Sequence, residues 1–489
     1  MDGMITLPPA FLRRMSRLLQ EEYDDFLASY GQGRYYGMRC NLLKASCQEF
    51  VQKMPFRLEP VSWAGEGYYY QPEEQPGRHV LHEAGAYYIQ EPSAMAVVEI
   101  LDPQPGECVL DLCAAPGGKS TQIAGRMQGE GLLVSNEIIL GRAKILSQNI
   151  ERMGVRNCVV CNETPERMSA FFPAFFDRIV VDAPCSGEGM FRKDETAVTE
   201  WSEEHVAMCA DRQYGILEET AGMLKPGGVL VYSTCTFAPD ENEAVISRFV
   251  QEHEEYVVED VPHDDAFVPG RPEWIENPAQ GLEATMRLMP HRLKGEGHYI
   301  ARLRRRGMSV GSPGTDIGAV SCEKSRKADR NEAGKHGRGR QNAGSRMEQT
   351  LRERVADFVT KELGLSADWL FGQQGKLLLF GEQIYLVPMR MPDMRGLKVV
   401  RPGLHLATDK KNRLEPAHAL AMAAPAEENI RSAVELSEEE AARYQHGESL
   451  PCDGAQKGWI VLTHKGYPLG YGKAAGGQIK NHYPKGLRR

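Results

Sequence analysis

The stretch from Glu107 to about Leu303 predicts an α/β unit built around a mostly parallel β-sheet. Apolar runs of strand length alternate there with helical stretches, the crossovers that parallel strands need to return to the same edge. Each run stops at small, polar or thiol residues. The first opens onto a tight turn of small residues leading into a helix.

In chain order, residues 5 to 30 read as an amphipathic helix. Pro8 and Pro9 suit its first turn, Phe11, Met15, Leu18 and Leu19 share a face, and Tyr23, Phe26 and Leu27 form a second apolar turn. Core packing is its expected role. After Tyr88-Ile89-Gln90-Glu91-Pro92-Ser93 a helix is expected from Ala94. Strands follow at Cys108–Leu112, Leu132–Asn136, Val159-Val160, Ile179–Val181 and Val229–Tyr232. From Arg304 to Arg346 the chain is rich in Gly, Ser, Arg, Lys and Asn with almost no large apolar residue, a composition that cannot build a core. A helix over Leu351–Leu363 and strands at Leu377–Phe380 and Ile384–Val387 come next. The expected division is therefore 1–92, a catalytic unit 93–303, a flexible basic linker 304–346, and a C-terminal part 347–489.

A 489-residue chain that is 42% apolar can bury ordinary cores. Met1-Asp2-Gly3-Met4 starts no basic-then-apolar leader, and no run nears the roughly 18 apolar residues of a spanning helix, so a cytoplasmic protein without a membrane partner is expected. Eleven cysteines, an odd number, imply free thiols. Cys158-Val159-Val160-Cys161 is a CxxC on an apolar strand without a second pair or histidine partners; packing is expected there and no metal. The net charge of −9 is unevenly spread: acids cluster in 237–283 and 427–440. Residues 454–489 contain no Asp or Glu but carry Lys457, Lys465, Lys473, Lys480, Lys485, Arg488 and Arg489, a local surface able to bind phosphate. Tyr467, Tyr471 and Tyr483 interleave with these lysines, a pattern that fits base stacking and fits core packing.

Ligands of open parallel sheets bind outside the carboxyl ends of the strands. Those ends place Cys113-Ala114-Ala115-Pro116-Gly117-Gly118-Lys119-Ser120, Glu137, Glu163, Asp182 with Cys185, and Thr234-Cys235 on one expected rim. Small residues at the first turn let a cofactor approach the backbone, and a carboxylate ending the second strand suits ribose hydroxyls. The turn has neither GxGxxG nor P-loop spacing, so a nucleoside cofactor without pyrophosphate, S-adenosylmethionine, fits best.

Two thiols beside a methyl donor suggest pyrimidine chemistry. Carbon-5 of a pyrimidine is too weak a nucleophile to take a methyl group directly, whereas a thiolate added at carbon-6 makes it an enamine carbon. The carbon-5 proton must then leave and the thioether be expelled, which gives a second group a role. Asp182, protonated or hydrogen-bonded to the exocyclic amine and ring nitrogen of cytosine, would hold the base. The residues leave open which of Cys185 and Cys235 attacks.

Residues from about Gln90 to Leu303 resemble the RNA 5-methylcytosine methyltransferases of the NOL1/NOP2/Sun family. The resemblance rests on Asp111–Ser120, Asp182-Ala183-Pro184-Cys185-Ser186-Gly187, Ser233-Thr234-Cys235-Thr236 and Pro290-His291-Arg292-Leu293-Lys294-Gly295-Glu296-Gly297-His298. Met38–Lys44 is similar to the family's N-terminal region, and Gly187–Lys193 and Lys480–Arg488 look like its bacterial RsmF-type branch, which acts on small-subunit ribosomal RNA near the decoding region. The resemblance implies a Rossmann-like methyltransferase sheet with one antiparallel strand, an N-terminal α+β extension and a C-terminal PUA-like RNA-binding module. It implies Cys235 as nucleophile and Cys185 as the thiol that aids release. Cys113, Ala114, Ala115, Pro116, Gly117, Gly118, Lys119, Glu137, Arg142, Glu163 and Asp182 would hold S-adenosylmethionine, with Lys119 and Asp182 also near the target base. The implied partner is RNA, as 16S rRNA or the small subunit, met by a monomer. Transfer RNA as substrate, an RNA-binding assembly factor without catalysis, and a DNA cytosine methyltransferase are the competing readings.

Overall fold

The computed structural model describes residues 6–307, 337–372, 375–410, 413–424 and 432–488. Near the N-terminus, β1 (Tyr36–Cys40), β2 (Glu59–Pro60), β3 (Gly67–Tyr70) and β4 (Tyr87–Ile89) form an antiparallel sheet in the order β2-β3-β1-β4. Ahead of it, the expected single helix is two, Pro9–Leu19 and Tyr23–Ser29, separated by a 3-10 turn at Gln20–Glu22, where Gln20 takes a φ of 49°. Phe11, Met15, Leu19 and Phe26 are buried against Phe191, Trp201, Phe237 and Met289, while Leu27 remains exposed.

The central sheet contains β5 (Cys108–Asp111), β6 (Leu132–Asn136), β7 (Cys158–Cys161), β8 (Phe176–Asp182), β9 (Leu224–Thr234), β10 (Tyr256–Val258), β11 (Val268–Pro269), β12 (Met286–Leu288) and β13 (His298–Arg305). Its order is β11-β12-β13-β9-β8-β5-β6-β7, with β10 also on β13. The five strands β5 to β9 are parallel and buried on both faces, which is why they read as continuous apolar runs. Successive residues serve opposite cores. Leu110 joins the helices Pro165–Phe171, Glu203–Ala221 and Glu243–Glu252, and Val109 joins Pro92–Leu101, Gly118–Arg126 and Leu140–Arg152. The chain reverses its direction of travel across the sheet between β5 and β8, so a crevice opens beyond Asp111 and Asp182.

Further on, β14 (Gly375–Phe380), β15 (Gln383–Pro388), β16 (Val399–Arg401), β17 (Leu404–Lys410) and β18 (Arg413–Pro416) follow the helix Gly337–Lys361. Four of these strands form the sheet β14-β15-β17-β18, but β16 pairs antiparallel with β7 and covers that edge of the central sheet. The sheet thus carries three reversed strands, β11, β13 and β16, rather than one. The last sheet, β19 (Ala433–Glu435), β20 (Leu450–Pro451), β21 (Gly458–His464), β22 (Tyr467–Ala475) and β23 (Gln478–Asn481), has the order β19-β21-β22-β23-β20. It shares one core with the N-terminal sheet, where Met38, Phe50, Tyr68 and Tyr87 pack with Tyr444, Leu462, Tyr467 and Tyr483.

Two expected boundaries move. Arg304 and Arg305 belong to β13, because Arg304 pairs with Val229 across the ladder and its guanidinium meets Glu259 at 2.6 Å. At the other end the helix begins at Gly337, not Leu351, and absorbs the last residues assigned to the linker; 308–336 lie outside the described residues.

Candidate active site

Strand β5 ends at Asp111, and the chain turns through Cys113–Gly117 into the helix Gly118–Arg126. Gly117 sits at φ 114°, and a Cβ there would come within 3.1 Å of Leu146, so this turn requires glycine. Arg39 of β1 reaches across from the N-terminal sheet and donates to the Gly118 carbonyl at 2.7 Å and to Thr121 at 3.0 Å. Buried Asp111 accepts from Ser120 at 2.6 Å, and burial pushes its carboxyl up to about 7. Arg142 donates to the Ala115 carbonyl at 2.9 Å and lies 3.5 Å from Glu137 Oε2.

Asp182 closes β8 and Ser233 is its register partner in β9. One Asp182 oxygen accepts from Ser233 at 2.7 Å and the other from Lys119 Nζ at 2.6 Å. Burial, the largest influence, opposes ionisation of Asp182, yet the Lys119 ammonium, His298 and the Ser233 hydroxyl together hold the carboxyl below its usual range. Lys119 is correspondingly raised by Asp182 against its own burial. An ionised carboxylate only accepts hydrogen bonds, as Asp182 does here from Lys119 and Ser233.

The two thiols meet. Cys185 Sγ lies 3.2 Å from Cys235 Sγ, and the hydrogen bond to Cys235, reinforced by burial, drives the Cys185 thiol well up. Either sulfur can be the donor of this pair. The following residues, Ser186 and Thr236, bond each other at 2.9 Å. Behind them Glu241 accepts from the Ser186 amide at 2.9 Å and from Gln213 at 2.8 Å, while Gln213 also donates to the Pro184 carbonyl at 3.1 Å. Buried Glu188 accepts from the Phe237 amide at 3.0 Å, from Trp201 at 2.8 Å, and from Arg14 of the first helix. Both cysteine loops are thus held by buried carboxylates.

Two cavities meet at Cys113, Ala115, Asp182, Met190 and Cys235. The larger, about 1050 Å³, is bordered by Glu137, Ile138, Ile139, Arg142, Pro165 and Cys185. Glu137 Oε1 accepts from the Ile139 amide at 2.9 Å, and no contact of Oε2 among the described residues is closer than Arg142, which leaves an acceptor beside an apolar wall. That combination suits a ribose and the flat face of a base. The smaller, about 300 Å³, is bordered by Tyr88, Gln90, Asp111, Lys119 and His298. Among the described residues no cluster of three or more His, Cys, Asp or Glu side chains could hold a metal ion.

Family models describe four consecutive parts of the chain: the N-terminal domain of 16S rRNA methyltransferase RsmF over 7–92, 16S rRNA methyltransferase RsmB/F over 98–304, an RsmF first C-terminal domain over 358–423, and a methyltransferase RsmF PUA domain over 431–489. A ribosomal RNA small subunit methyltransferase F from Vibrio campbellii is 32% identical over all of this chain and 99% of its own length. The chain belongs to the ribosomal RNA small subunit methyltransferase F family. A relative of the same name from Escherichia coli is 33% identical over 99% of this chain and 97% of its own. Among solved structures, a methyltransferase homologue from Pyrococcus horikoshii superposes with a TM-score of 0.52 at 28% identity, covering 61% of this chain and all of its own. NSun6 from the same organism shares the fold at 20% identity, with a TM-score of 0.53 over 63% of this chain and all of its own.

Within this RsmF-family chain not every expected ligand faces the cavities. Cys113, Ala114, Ala115, Pro116, Gly118, Lys119, Glu137, Arg142, Asp182, Cys185 and Cys235 line one or both. Gly117 turns the backbone behind them. Glu163 lines neither: its Oε1 accepts from the Lys398 amide at 2.7 Å and its Oε2 from Arg167 at 2.8 Å, fastening the segment before β16 to the end of β7. Pro165 and Glu166 border the cavity instead. Tyr467, Tyr471 and Tyr483 are 1–2% exposed and belong to cores, so they offer no face to a nucleotide. Ile138 and Ile139 were visible next to Glu137 as apolar residues past a strand end. Gln213 and Glu241 lie in no motif with the cysteines and emerge only from packing.

Proposed function

We propose that the protein transfers a methyl group from S-adenosylmethionine to carbon-5 of a cytosine in small-subunit ribosomal RNA, near the decoding region. One observation carries the reading: two thiols 3.2 Å apart stand beside an aspartate kept ionised by a lysine. When bound in the larger cavity, S-adenosylmethionine supplies an electrophilic methyl group. Glu137 takes the ribose hydroxyls there, Arg142 steadies Glu137 and the turn, and Ile138 and Ile139 cover the adenine.

A cytosine in a helix hides carbon-6, so the base enters extruded or unpaired. Asp182 accepts from its exocyclic amine, and Lys119 donates to ring nitrogen-3. Cys235 attacks carbon-6 as thiolate, and Lys119 stabilises the charge that spreads onto the ring. Cys185, holding its proton, donates to the Cys235 sulfur and favours its anionic form both before attack and at departure. The PUA-like region supplies register on the RNA. Lys457, Lys480 and Lys485 are exposed there, and no described base of the tail pairs with a carboxylate.

The test is nucleoside mass spectrometry after incubation with radiolabelled S-adenosylmethionine and either free 16S rRNA, assembled small subunits or transfer RNA. Label in 5-methylcytidine of one of the first two substrates is expected. Label confined to transfer RNA, or to another methylated nucleoside, contradicts the reading.

A further inference from the structure

One buried group at the site has no part in the chemistry above. His298, at the start of β13, borders the smaller cavity together with Asp182, Lys119 and Cys235 and is only 7% exposed. Its Nδ1 lies 2.9 Å from Ser93 Oγ. Ser93 in turn donates its single hydroxyl proton to Glu91, whose carboxylate also accepts the Ser93, Ala94 and Glu296 amides at 3.0, 2.9 and 2.8 Å. With that proton committed, Ser93 Oγ can only accept from the ring, as it also does from the Gly297 amide at 3.3 Å. The imidazole is therefore fixed as the Nδ1–H tautomer, and its basic nitrogen is Nε2, on the edge away from Ser93.

Resting on the proposed cytosine chemistry, we propose that His298 is the base that removes the carbon-5 proton from the Cys235 adduct. Once carbon-5 carries a methyl group it is tetrahedral, with its hydrogen on the face opposite the one that received the methyl. Asp182 and Cys235 border both cavities and His298 borders the smaller one, so the hydrogen is taken on the side of the base that faces the chamber of His298. The His298 Nε2 lone pair takes the hydrogen as a proton. The carbon–hydrogen electron pair becomes the carbon-5–carbon-6 double bond, and the carbon-6–sulfur pair leaves with Cys235 as thiolate. The imidazolium then gives its proton to water.

The surroundings favour a neutral imidazole ready to act. Burial, followed by the Lys119 ammonium, lowers its pKa against the opposing pull of Glu91 and Asp182. The other candidates fit less well. Asp182 is tied to Lys119 and Ser233, and Cys185 is paired with Cys235 at 3.2 Å.

The experiment follows tritium lost from RNA carrying [5-³H]cytosine, with and without S-adenosylmethionine. Without cofactor the enamine takes a solvent proton at carbon-5, and removal of the original tritium then needs the same base. His298→Gln is expected to slow tritium release roughly 100-fold in both conditions. It should form the Cys235 adduct at the wild-type rate and accumulate it in methylated form. Ser93→Ala keeps the ring but frees its tautomer, and a smaller loss of release is expected. Melting temperature and S-adenosylmethionine affinity check that each variant is folded. Wild-type tritium release in both variants overturns the role of His298. A wild-type protein that forms no adduct and releases no tritium overturns the cytosine reading instead.

Discussion

Ser186 and Thr236 share a 2.9 Å hydrogen bond, and each directly follows one of the two cysteines whose sulfurs meet, Cys185 and Cys235. The bond ties the loop beyond β8 to the loop beyond β9. The thiols it positions are 3.2 Å apart although they are separated by 50 positions in the chain. Glu241 supports that link from behind at the cost of a buried carboxyl group.

This burial has a pH signature. Burial is the main cause that raises the Glu241 carboxyl from 4.5 to about 7. The folded protein then holds the proton more tightly than the unfolded chain, so the associated stability is complete below about 4.5 and is lost as pH rises through about 7. Glu241→Gln should gain roughly 2–3 kcal/mol relative to wild type between pH 5 and pH 8. Urea unfolding at the two pH values measures it, and an unchanged difference contradicts the assignment.

The two strand-end glutamates separate by cofactor affinity. Glu137→Gln removes charged acceptors from the ribose and should weaken S-adenosylmethionine binding about 10- to 100-fold, the effect of about 1.5–3 kcal/mol. Glu163→Gln should leave it within about twofold, since its oxygens face Lys398 and Arg167. Isothermal titration distinguishes them, and equal losses restore Glu163 as a ligand.

Charge and ring side chains of the tail should respond differently. Replacing Lys457, Lys480 and Lys485 together by Gln should weaken RNA binding and reduce the slope of log affinity against log salt by about 2. Tyr467→Ala should instead cost about 3–5 kcal/mol of stability, because its ring lies in the core shared by the two ends of the chain. Removing all of 454–489 would open that core and confuse the two effects. A salt slope unchanged by the lysine replacements would show that RNA is held elsewhere.

Sequence patterns revealed the parts of the molecule that obey local rules. Val109 and Leu110, apolar on both faces, mark a parallel strand, and Gly117 marks a turn that admits no side chain. Asp182, Cys185 and Cys235 were placed together because strand ends share a rim. Glu163 obeyed the same rule and still turned away, because Lys398, 235 positions later, offers it an amide. Tyr467 and Tyr471 lie in β22, which is buried along almost its whole length, so their rings join cores although lysines stand near them in sequence. That nearness cannot tell a stacking platform from a core. β16 was illegible for a related reason: only Val399 and Arg401 of this short strand pair with β7, far away in sequence, and no local signal records a distant edge.

The division of labour between the thiols is tested most directly by denaturing gels after incubation with RNA and S-adenosylmethionine. Cys185→Ala should accumulate a covalent protein–RNA band, because attack proceeds and departure of the Cys235 sulfur loses its donor. Cys235→Ala should give none. A band with Cys235→Ala and none with Cys185→Ala would contradict the account.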